Sequence, residues 1–153
     1  MKTAKILVVE DDEGWRNTLK DLLESEGYIV QSVANSQEAS NALKLPGIQL
    51  VIMDLRLDDV DESNIEMDKS KPEGLELLAY IGMYNPCARA IVVTALSAHK
   101  YEREAYQKLG VFDYFYKTKF EPNQFIQSSR DAIDAAFECE VGRKERPIYP
   151  DLI

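Results

Sequence analysis

The chain has 153 residues, of which 27 are acidic and 18 basic, giving a formal net charge of -9. This length suffices for one domain with a buried core but is too short for two domains of ordinary size. The negative charge disfavours binding to nucleic acid or to an anionic membrane surface, since both require a basic face. It is compatible with a site where carboxylates hold a cation, and also with a role in solubility alone.

Five strand-like segments alternate with five helical patterns. Three of the strands are nearly continuous apolar runs rich in β-branched residues, typical of strands buried on both faces of a parallel sheet. The predicted elements, in chain order, are strand 6–9, helix 15–23, strand 28–34, helix 39–43, strand 48–53, helix 75–79, strand 90–93, helix 101–109, strand 111–116 and a helix that begins after Pro122. Gly27 and Gly110 are expected to end the first and fourth helices.

This alternation predicts an α/β fold with a parallel sheet, right-handed crossovers and helices on both faces. Two segments fall outside it. The link 58–71 holds six carboxylates and is longer than usual for such a connection. Pro147 and Pro150 cannot continue the last helix. We therefore divide the chain into a domain of residues 1–140, with an acidic insert at 58–71, and a C-terminal tail of residues 141–153. The insert is expected either to be a mobile flap at the mouth of a site or to be a solvated loop with no role.

The two cysteines, Cys87 and Cys139, have neither the spacing of a metal site nor the number expected of a disulfide framework. We therefore expect both to be reduced, in a cytoplasmic protein. The apolar run 6–9 is stopped at once by three acidic residues, so it is too short for a signal peptide. No apolar run in the sequence approaches the length of a membrane span.

Polar side chains follow four of the five predicted strands at their carboxyl ends: the acidic run 10–12, Asp54, Thr94 and Lys117. Each alone is ordinary, as a helix cap, a turn former or a solvated charge. Ligands of open α/β sheets bind at this edge, so we expect the four groups to converge on one pocket. Adjacent carboxylates repel unless a hard divalent cation such as Mg²⁺ offsets their charge. An aspartate there could attack phosphorus, with the hydroxyl and ammonium groups binding phosphoryl oxygens.

The sequence resembles the receiver domains of two-component response regulators from about residue 5 to about residue 137. Five stretches together carry this resemblance, namely ILVVEDD at 6–12 with Arg16 following, LVIMDL at 50–55, GLELL at 74–78, VVTA at 92–95 and GVFDYFYK at 110–117. The resemblance implies a doubly wound five-stranded parallel sheet with strand order 2-1-3-4-5 and helices on both faces.

The resemblance also implies the roles of individual residues. Asp54 would be the phosphoacceptor, and Asp11 and Asp12 would hold Mg²⁺, with Asp12 preferred as the direct ligand. Asp54 itself and the backbone carbonyl of Arg56 would complete the metal site. Three further roles are implied around the phosphoryl group: Thr94 as the switch hydroxyl, Lys117 as its paired cation and Tyr114 as the switch aromatic.

The turn after the fifth strand departs from the family pattern. The family's lysine is normally followed by proline, whereas Thr118 follows Lys117 here. Lys119 offers a competing register in which Tyr116 would be the switch aromatic, although the Asp-Tyr pair at 113–114 favours Lys117. Because a cis peptide bond before threonine costs roughly 2.5–4 kcal/mol, we predict a trans Lys117–Thr118 bond, with the loop after it bulging outward.

As a function, the resemblance implies a phosphoacceptor receiver whose Mg²⁺-dependent phosphorylation at Asp54 switches partner binding. The donor would be a sensor histidine kinase or a histidine phosphotransfer protein, and the output an unknown downstream protein. Such a module is not an enzyme, although slow self-dephosphorylation is expected. Direct binding to nucleic acid or to a membrane is not expected. The alternative is a degenerate receiver that acts as a phosphorylation-independent interaction module.

Two other classes fit less well. Haloacid-dehalogenase-like phosphohydrolases need an acid two residues after the nucleophile, where this chain has Arg56. A flavodoxin-like electron carrier needs a Ser/Thr/Gly-rich phosphate loop after the first strand, and acidic residues stand there instead. The sequence carries no output domain after the receiver pattern, so the chain either acts by binding partners or is a fragment of a longer protein.

Overall fold

A computed structural model describes residues 3–57, 73–95 and 99–145. The predicted acidic insert and the proline-containing end of the predicted tail lie outside these ranges. The elements are β1 Lys5–Val9, α1 Glu13–Glu24, β2 Ile29–Val33, α2 Ser36–Leu43, β3 Leu50–Met53, α3 Glu73–Tyr84, β4 Arg89–Thr94, α4 His99–Lys108, β5 Asp113–Tyr116 and α5 Pro122–Glu145. They alternate as predicted, and α5 continues past the domain boundary expected at residue 140.

The five strands form one parallel sheet in the order β2-β1-β3-β4-β5, which confirms the predicted topology. In the register of the sheet, Val9 pairs with Met53 and Met53 pairs with Val92. At the far edge, Thr94 pairs with Tyr116. The residues that follow β1, β3, β4 and β5 therefore emerge at one end of the sheet.

Alternate residues of the central strands pack into two separate cores. Leu7, Val51 and Val92 point into one core, which also contains apolar residues of α2 and α3. Ile6, Ile52 and Ile91 point into the other, which α1 and α5 cover. All four residues of β3 are buried, because helices cover both faces of the sheet. This explains why the strand appears in the sequence as an uninterrupted apolar run.

The helix ends follow local sequence signals. Asp12 and Asn35 cap α1 and α2, each accepting a hydrogen bond from the backbone N–H three residues on. Gly27 and Gly110, predicted as helix stops, have φ of 90° and 63°, a region that glycine enters without steric cost. Among the described residues no helix is both long and apolar enough to cross a membrane.

The amino-terminal end of the sheet carries a connected polar network. The Asn85 side-chain amide donates to the carbonyl oxygens of Leu43 and Leu45, and its oxygen accepts from the N–H of Ile48. Gln49 accepts a hydrogen bond from the N–H of Lys5 at 2.8 Å. These side chains join the loops before β3 and β4 to the start of β1.

A disulfide joins Cys87, in the loop after α3, to Cys139 on α5, with the two Cα atoms 5.4 Å apart. The prediction of two reduced cysteines was therefore wrong. The bond closes a separation of 52 residues, and only the packing of α5 against the sheet brings its two ends together. Residue count and local spacing contain no signal for such a contact.

Candidate functional site

Asp54 lies directly after β3, and its side chain is almost fully buried. Its N–H donates to the carbonyl of Val9 at 3.0 Å, which holds it beside the end of β1. Its Oδ1 accepts hydrogen bonds from the Thr94 hydroxyl at 2.9 Å and from the Arg56 N–H at 3.2 Å. Its Oδ2 accepts from Lys117 Nζ at 3.0 Å. Three of the predicted site residues therefore meet as the strand ends indicated.

Lys117 begins a single 3-10 turn that ends at Lys119. Its ammonium group contacts the carboxylates of Glu10 and Asp54, while Thr118 and Lys119 are exposed. Burial lowers the pKa of Lys117, but the bond to Glu10 and the charge of Asp54 outweigh it and raise the pKa above its ordinary value. The structure thus brings Lys117, and not Lys119, to the pocket. No described peptide bond is cis, so the Lys117–Thr118 bond is trans as predicted.

An aromatic side chain to which the sequence analysis gave no role in the site lies over the Lys117 ammonium group. Lys117 Nζ lies 5.3 Å from the centroid of the Trp15 ring. The same ring packs edge-on against Phe120, in the loop that follows the lysine, at a centroid distance of 5.2 Å. Trp15 therefore contacts both the ammonium group and the loop that carries it.

Glu10, Asp11 and Asp54 form a cluster of carboxylates, each with one oxygen within 4.8 Å of the others. Glu10 is 1% exposed, and its Oε2 has no hydrogen-bond partner among the described residues. Burial and the neighbouring Asp54 raise the pKa of Glu10 well above its ordinary value, against the opposing effect of Lys117. Partial burial and Asp54 likewise raise the pKa of Asp11. This all-oxygen donor set with unbalanced negative charge suits a hard divalent cation.

Asp12, expected as the direct metal ligand, is not part of this cluster. Its Oδ1 accepts the N–H of Trp15 at 2.9 Å, so the carboxylate is used to cap α1. Glu10, which the sequence analysis placed in the acidic run at the pocket without a role of its own, lies in the cluster instead. Its N–H donates to the carbonyl of Val33, which continues the pairing of β1 with β2 and keeps Glu10 buried like the strand before it. The signal in the sequence was that Glu10 directly follows the apolar run 6–9, so it is buried like the strand.

Thr94 and Tyr114 lie on neighbouring strands toward the α4 edge. Thr94 is fully buried. Tyr114 is 7% exposed, and its hydroxyl has no hydrogen-bond partner among the described residues. Burial raises its pKa. Tyr116, the aromatic of the competing register, donates a 2.7 Å hydrogen bond to Glu102 on α4. Its ring centroid lies 5.3 Å from that of Tyr114, so the two tyrosines form one aromatic group beside α4.

The start of α3 lies against the backbone of the loop that follows β3. The N–H of Gly74 donates to the carbonyl of Leu55 at 2.9 Å. A Cβ atom at Gly74 would lie 2.5 Å from the carbonyl oxygen of Asp54 and 2.6 Å from Leu55 Cα. Only glycine therefore permits this approach, which fixes the backbone of Asp54 from the side of α3.

Comparison with protein families finds a match to the response regulator receiver domain over residues 6–130. Among curated relatives, the alginate biosynthesis transcriptional regulatory protein AlgB of Pseudomonas aeruginosa is 31% identical over 116 residues, which cover 76% of this chain and 23% of AlgB. The transcriptional regulatory protein GlrR of Escherichia coli is 31% identical over 133 residues, or 87% of this chain and 27% of GlrR. The chain thus spans about a quarter of the length of these relatives.

Solved structures show the same fold. A CheY-like response regulator receiver domain protein from Methanospirillum hungatei superposes with a TM-score of 0.74 and 23% identity, covering 90% of this chain and 98% of that one. The receiver domain of a putative LuxO repressor protein from Vibrio parahaemolyticus gives a TM-score of 0.75 and 20% identity, covering 93% and 98%. The family match spans most of the chain, and the sheet order agrees with it. The chain belongs to the response regulator receiver domain family of two-component signalling.

Proposed function

We propose that Asp54 is the phosphoacceptor of this receiver and that its phosphorylation switches the binding of a downstream protein. This proposal rests on the hydrogen bonds of the buried Asp54 carboxylate. One of its oxygens accepts from Thr94 and the other from Lys117. These donors hold the carboxylate in one orientation at the end of β3. In such an orientation one oxygen can attack phosphorus.

The phosphoryl donor is a phosphohistidine on a sensor histidine kinase or on a histidine phosphotransfer protein. One Asp54 oxygen forms a bond to phosphorus while the bond from phosphorus to the imidazole nitrogen breaks. Because the other ring nitrogen of the donor carries a proton, the products are an acyl phosphate and a neutral histidine. Lys117 remains charged throughout, because its pKa is raised, and it donates to a phosphoryl oxygen. The Thr94 hydroxyl moves its hydrogen bond from Asp54 Oδ1 to a phosphoryl oxygen.

Glu10, Asp11, Asp54 and the backbone carbonyl of Arg56 are the groups that we propose to hold Mg²⁺. When bound, the ion supplies positive charge that offsets repulsion between these carboxylates and an incoming phosphoryl dianion. The unpartnered Glu10 Oε2 and the raised pKa of Glu10 support this assignment, since both indicate that Lys117 alone does not offset the cost of burying this carboxylate beside Asp54. Asp12 is left out of the ligand set because it caps α1.

The module acts in the cytoplasm as a signal carrier and has no catalytic turnover apart from slow loss of its own phosphoryl group. The face formed by α4, β5 and α5 is the proposed output surface, since Thr94 on β4 bonds to Asp54 and the buried Tyr114 lies on the neighbouring strand β5. The network from Asp54 through Thr94 to β5 is built from buried groups, which transmit small displacements because packed cores deform little.

The test is incubation of the protein with acetyl phosphate and Mg²⁺, followed by intact mass spectrometry. We expect a mass increase of one phosphoryl group that is lost on chelation and in Asp54→Asn. Asp21→Asn, an exposed aspartate on α1, is the matched control and should be labelled normally. A chain that stays unlabelled under these conditions, and also with a phosphohistidine donor, would instead be a phosphorylation-independent interaction module.

A further inference from the structure

The disulfide between Cys87 and Cys139 lies at the end of the sheet opposite to Asp54. Cys87 follows α3 and is 5% exposed, whereas Cys139 is partly exposed on α5. Cys139 also lies beyond residues 6–130, which the family model matches. The bond therefore joins a residue inside the matched range to one outside it, and it is not part of the phosphoacceptor site.

A cavity of about 300 Å³ opens beside the bond. Tyr84, Pro86 and Cys87 contribute to its wall, and Arg143 and Lys144 lie at its rim. Arg143 is four residues after Cys139, on the same face of α5. Glu140 also lines the cavity, but its Oε1 accepts a hydrogen bond from Gln49 at 3.0 Å. The cavity thus combines an apolar wall, one sulfur, two exposed cations and the Glu140 carboxylate, so its basic groups outnumber its acidic ones.

The same contacts fasten the last turns of α5 to the sheet. The disulfide holds Cys139 to the loop before β4, and the Glu140–Gln49 hydrogen bond holds the next residue to the loop before β3. An isolated hydrogen bond that is partly exposed contributes little to stability. The covalent bond is therefore the stronger of these two attachments of α5 to the sheet.

We propose that Cys87 and Cys139 are a reversible redox site that reacts with an anionic low-molecular-weight disulfide bound at this cavity. Disulfides are rare in reducing compartments, and those that form there are mostly transient and redox-sensing. The proposal shares with the proposed function only the cytoplasmic location, and it does not require Asp54 to be phosphorylated. Oxidation attaches the end of α5 to the sheet, and reduction releases it.

The chemistry is two thiol–disulfide exchanges. The Cys139 thiolate, more exposed and near Arg143, attacks one sulfur of the small disulfide, forming a mixed disulfide and expelling one thiolate. The Cys87 thiolate then attacks the Cys139 sulfur, forming the internal disulfide and expelling a second thiolate. In total, two protein thiols are oxidised and one small disulfide is reduced to two thiols. Excess small thiol reverses both steps.

The first experiment follows the reduced full-length chain in glutathione disulfide by mass spectrometry after acid quenching and alkylation. We expect both thiols to disappear together, with no glutathione retained. Cys87→Ser should retain one glutathione on Cys139, because the second thiolate is missing. Thiols that stay free in the folded protein, or that pair only between chains, would overturn the proposal.

The second experiment tests the cavity by charge. Replacing Arg143 and Lys144 by glutamine should slow the reaction with anionic glutathione disulfide by roughly three- to tenfold, since fewer cations attract it. The reaction with cationic cystamine should not slow. Lys108→Gln, which removes an exposed charge on α4, should change neither rate. Equal slowing with glutathione disulfide and with cystamine would show that the cations of the cavity do not bind the anionic reagent.

The third measurement is amide hydrogen exchange with and without the bond. Reduction should speed exchange in residues 139–145 and leave β3 protected. It should also lower the melting temperature by roughly 10 °C, as expected for a cross-link of this span. Unchanged exchange at the end of α5 would show that the bond does not fasten the helix. Labelling of Asp54 by acetyl phosphate, measured in parallel, reports on the proposed function separately.

Discussion

Glu10, Asp11 and Asp12 are consecutive acids, yet each has a different environment in the folded chain. Glu10 extends β1 and is buried, Asp11 lies in the exposed link between strand and helix, and Asp12 caps α1. The position at which the helix starts therefore decides which carboxylates face Asp54. Small shifts of this boundary would exchange the capping group and the proposed metal ligand.

Replacing Asp11 and Asp12 separately by asparagine tests this assignment. At a Mg²⁺ concentration about 100 times its dissociation constant, binding adds about 2.7 kcal/mol to the free energy of unfolding. Asp11→Asn should lose most of the corresponding rise in melting temperature. Asp12→Asn should keep it, because asparagine also caps helices well. A Mg²⁺ response that disappears only in Asp12→Asn would restore the ligand that the family resemblance implied.

Trp15 offers a second prediction for a single residue. The contact between its ring and Lys117 Nζ is of the cation–π type, worth roughly 0.5–2 kcal/mol. Trp15→Leu should therefore slow Mg²⁺-dependent phosphorylation by roughly three- to tenfold, since Lys117 is held less well. Trp15→Phe should retain most of the rate, because it keeps an aromatic face. Equal rates in the two variants would assign the effect to packing against Phe120 alone.

At the scale of elements, α3 approaches the loop after β3 closely at Gly74. Gly74→Ala would place a Cβ atom 2.5 Å from the Asp54 carbonyl oxygen, so the helix or the loop must shift. We expect a loss of roughly 1–3 kcal/mol in the free energy of unfolding, together with slower phosphorylation. Gly82→Ala in the same helix has no atom within 4 Å of its new Cβ and should gain roughly 0.5–1 kcal/mol. Chemical denaturation of both variants checks this, and a stabilised Gly74→Ala would contradict it.

The coupling of β4 to β5 and α4 gives a prediction for a group of elements. Thr94 joins Asp54 to the strand that pairs with β5, where Tyr114 packs beside Tyr106 and Tyr116. Phosphorylation should change the amide chemical shifts of α4 and β5. Thr94→Ala should abolish these distant changes while still permitting labelling, and Thr94→Ser should preserve them because it keeps the hydroxyl. Distant shifts that survive in Thr94→Ala would show that the coupling takes another path.

For the molecule as a whole, the acidic pocket costs stability when no cation is bound. The pKa of Glu10 is raised on folding, so the folded chain keeps a proton that the unfolded chain has already lost. Stability therefore falls as the pH rises above the ordinary value of about 4.3 for glutamate. In a chelating buffer at neutral pH, Glu10→Gln should be more stable than the original chain by roughly 1–2 kcal/mol.

The controls for Glu10→Gln are measurements of the free energy of unfolding at several pH values and with saturating Mg²⁺. The difference in free energy of unfolding should disappear at acidic pH, where glutamate is neutral in both states. Saturating Mg²⁺ should reverse the order of the two proteins, because the variant lacks a ligand. A variant that is less stable than the original chain at every pH would mean that the bond between Glu10 and Lys117 outweighs the cost of burial.

Most of the architecture could be predicted from the sequence because it depends on local patterns of apolar and polar residues. Apolar runs mark buried strands, and the polar residue after each run marks the sheet edge, so the meeting of Asp54, Thr94 and Lys117 followed from chain order. The choice between Glu10 and Asp12 did not follow, since adjacent acids differ only in where α1 begins. The bond between Cys87 and Cys139 depends on a contact across 52 residues, which no local pattern encodes. Predictions for the insert at 58–71 stay predictions.

The strand order β2-β1-β3-β4-β5 has a consequence for how the chain assembles as it is synthesised. β2 is added at one side of β1, and β3, β4 and β5 are then added in turn at the other, so each new strand meets a neighbour that already exists. Chains emerge amino terminus first, so the sheet grows outward without waiting for a later strand. The face formed by Ile6, Ile52 and Ile91 stays partly uncovered until α5 supplies Phe125 and Ile133. Of the five described helices, α5 is thus the one that completes the second core.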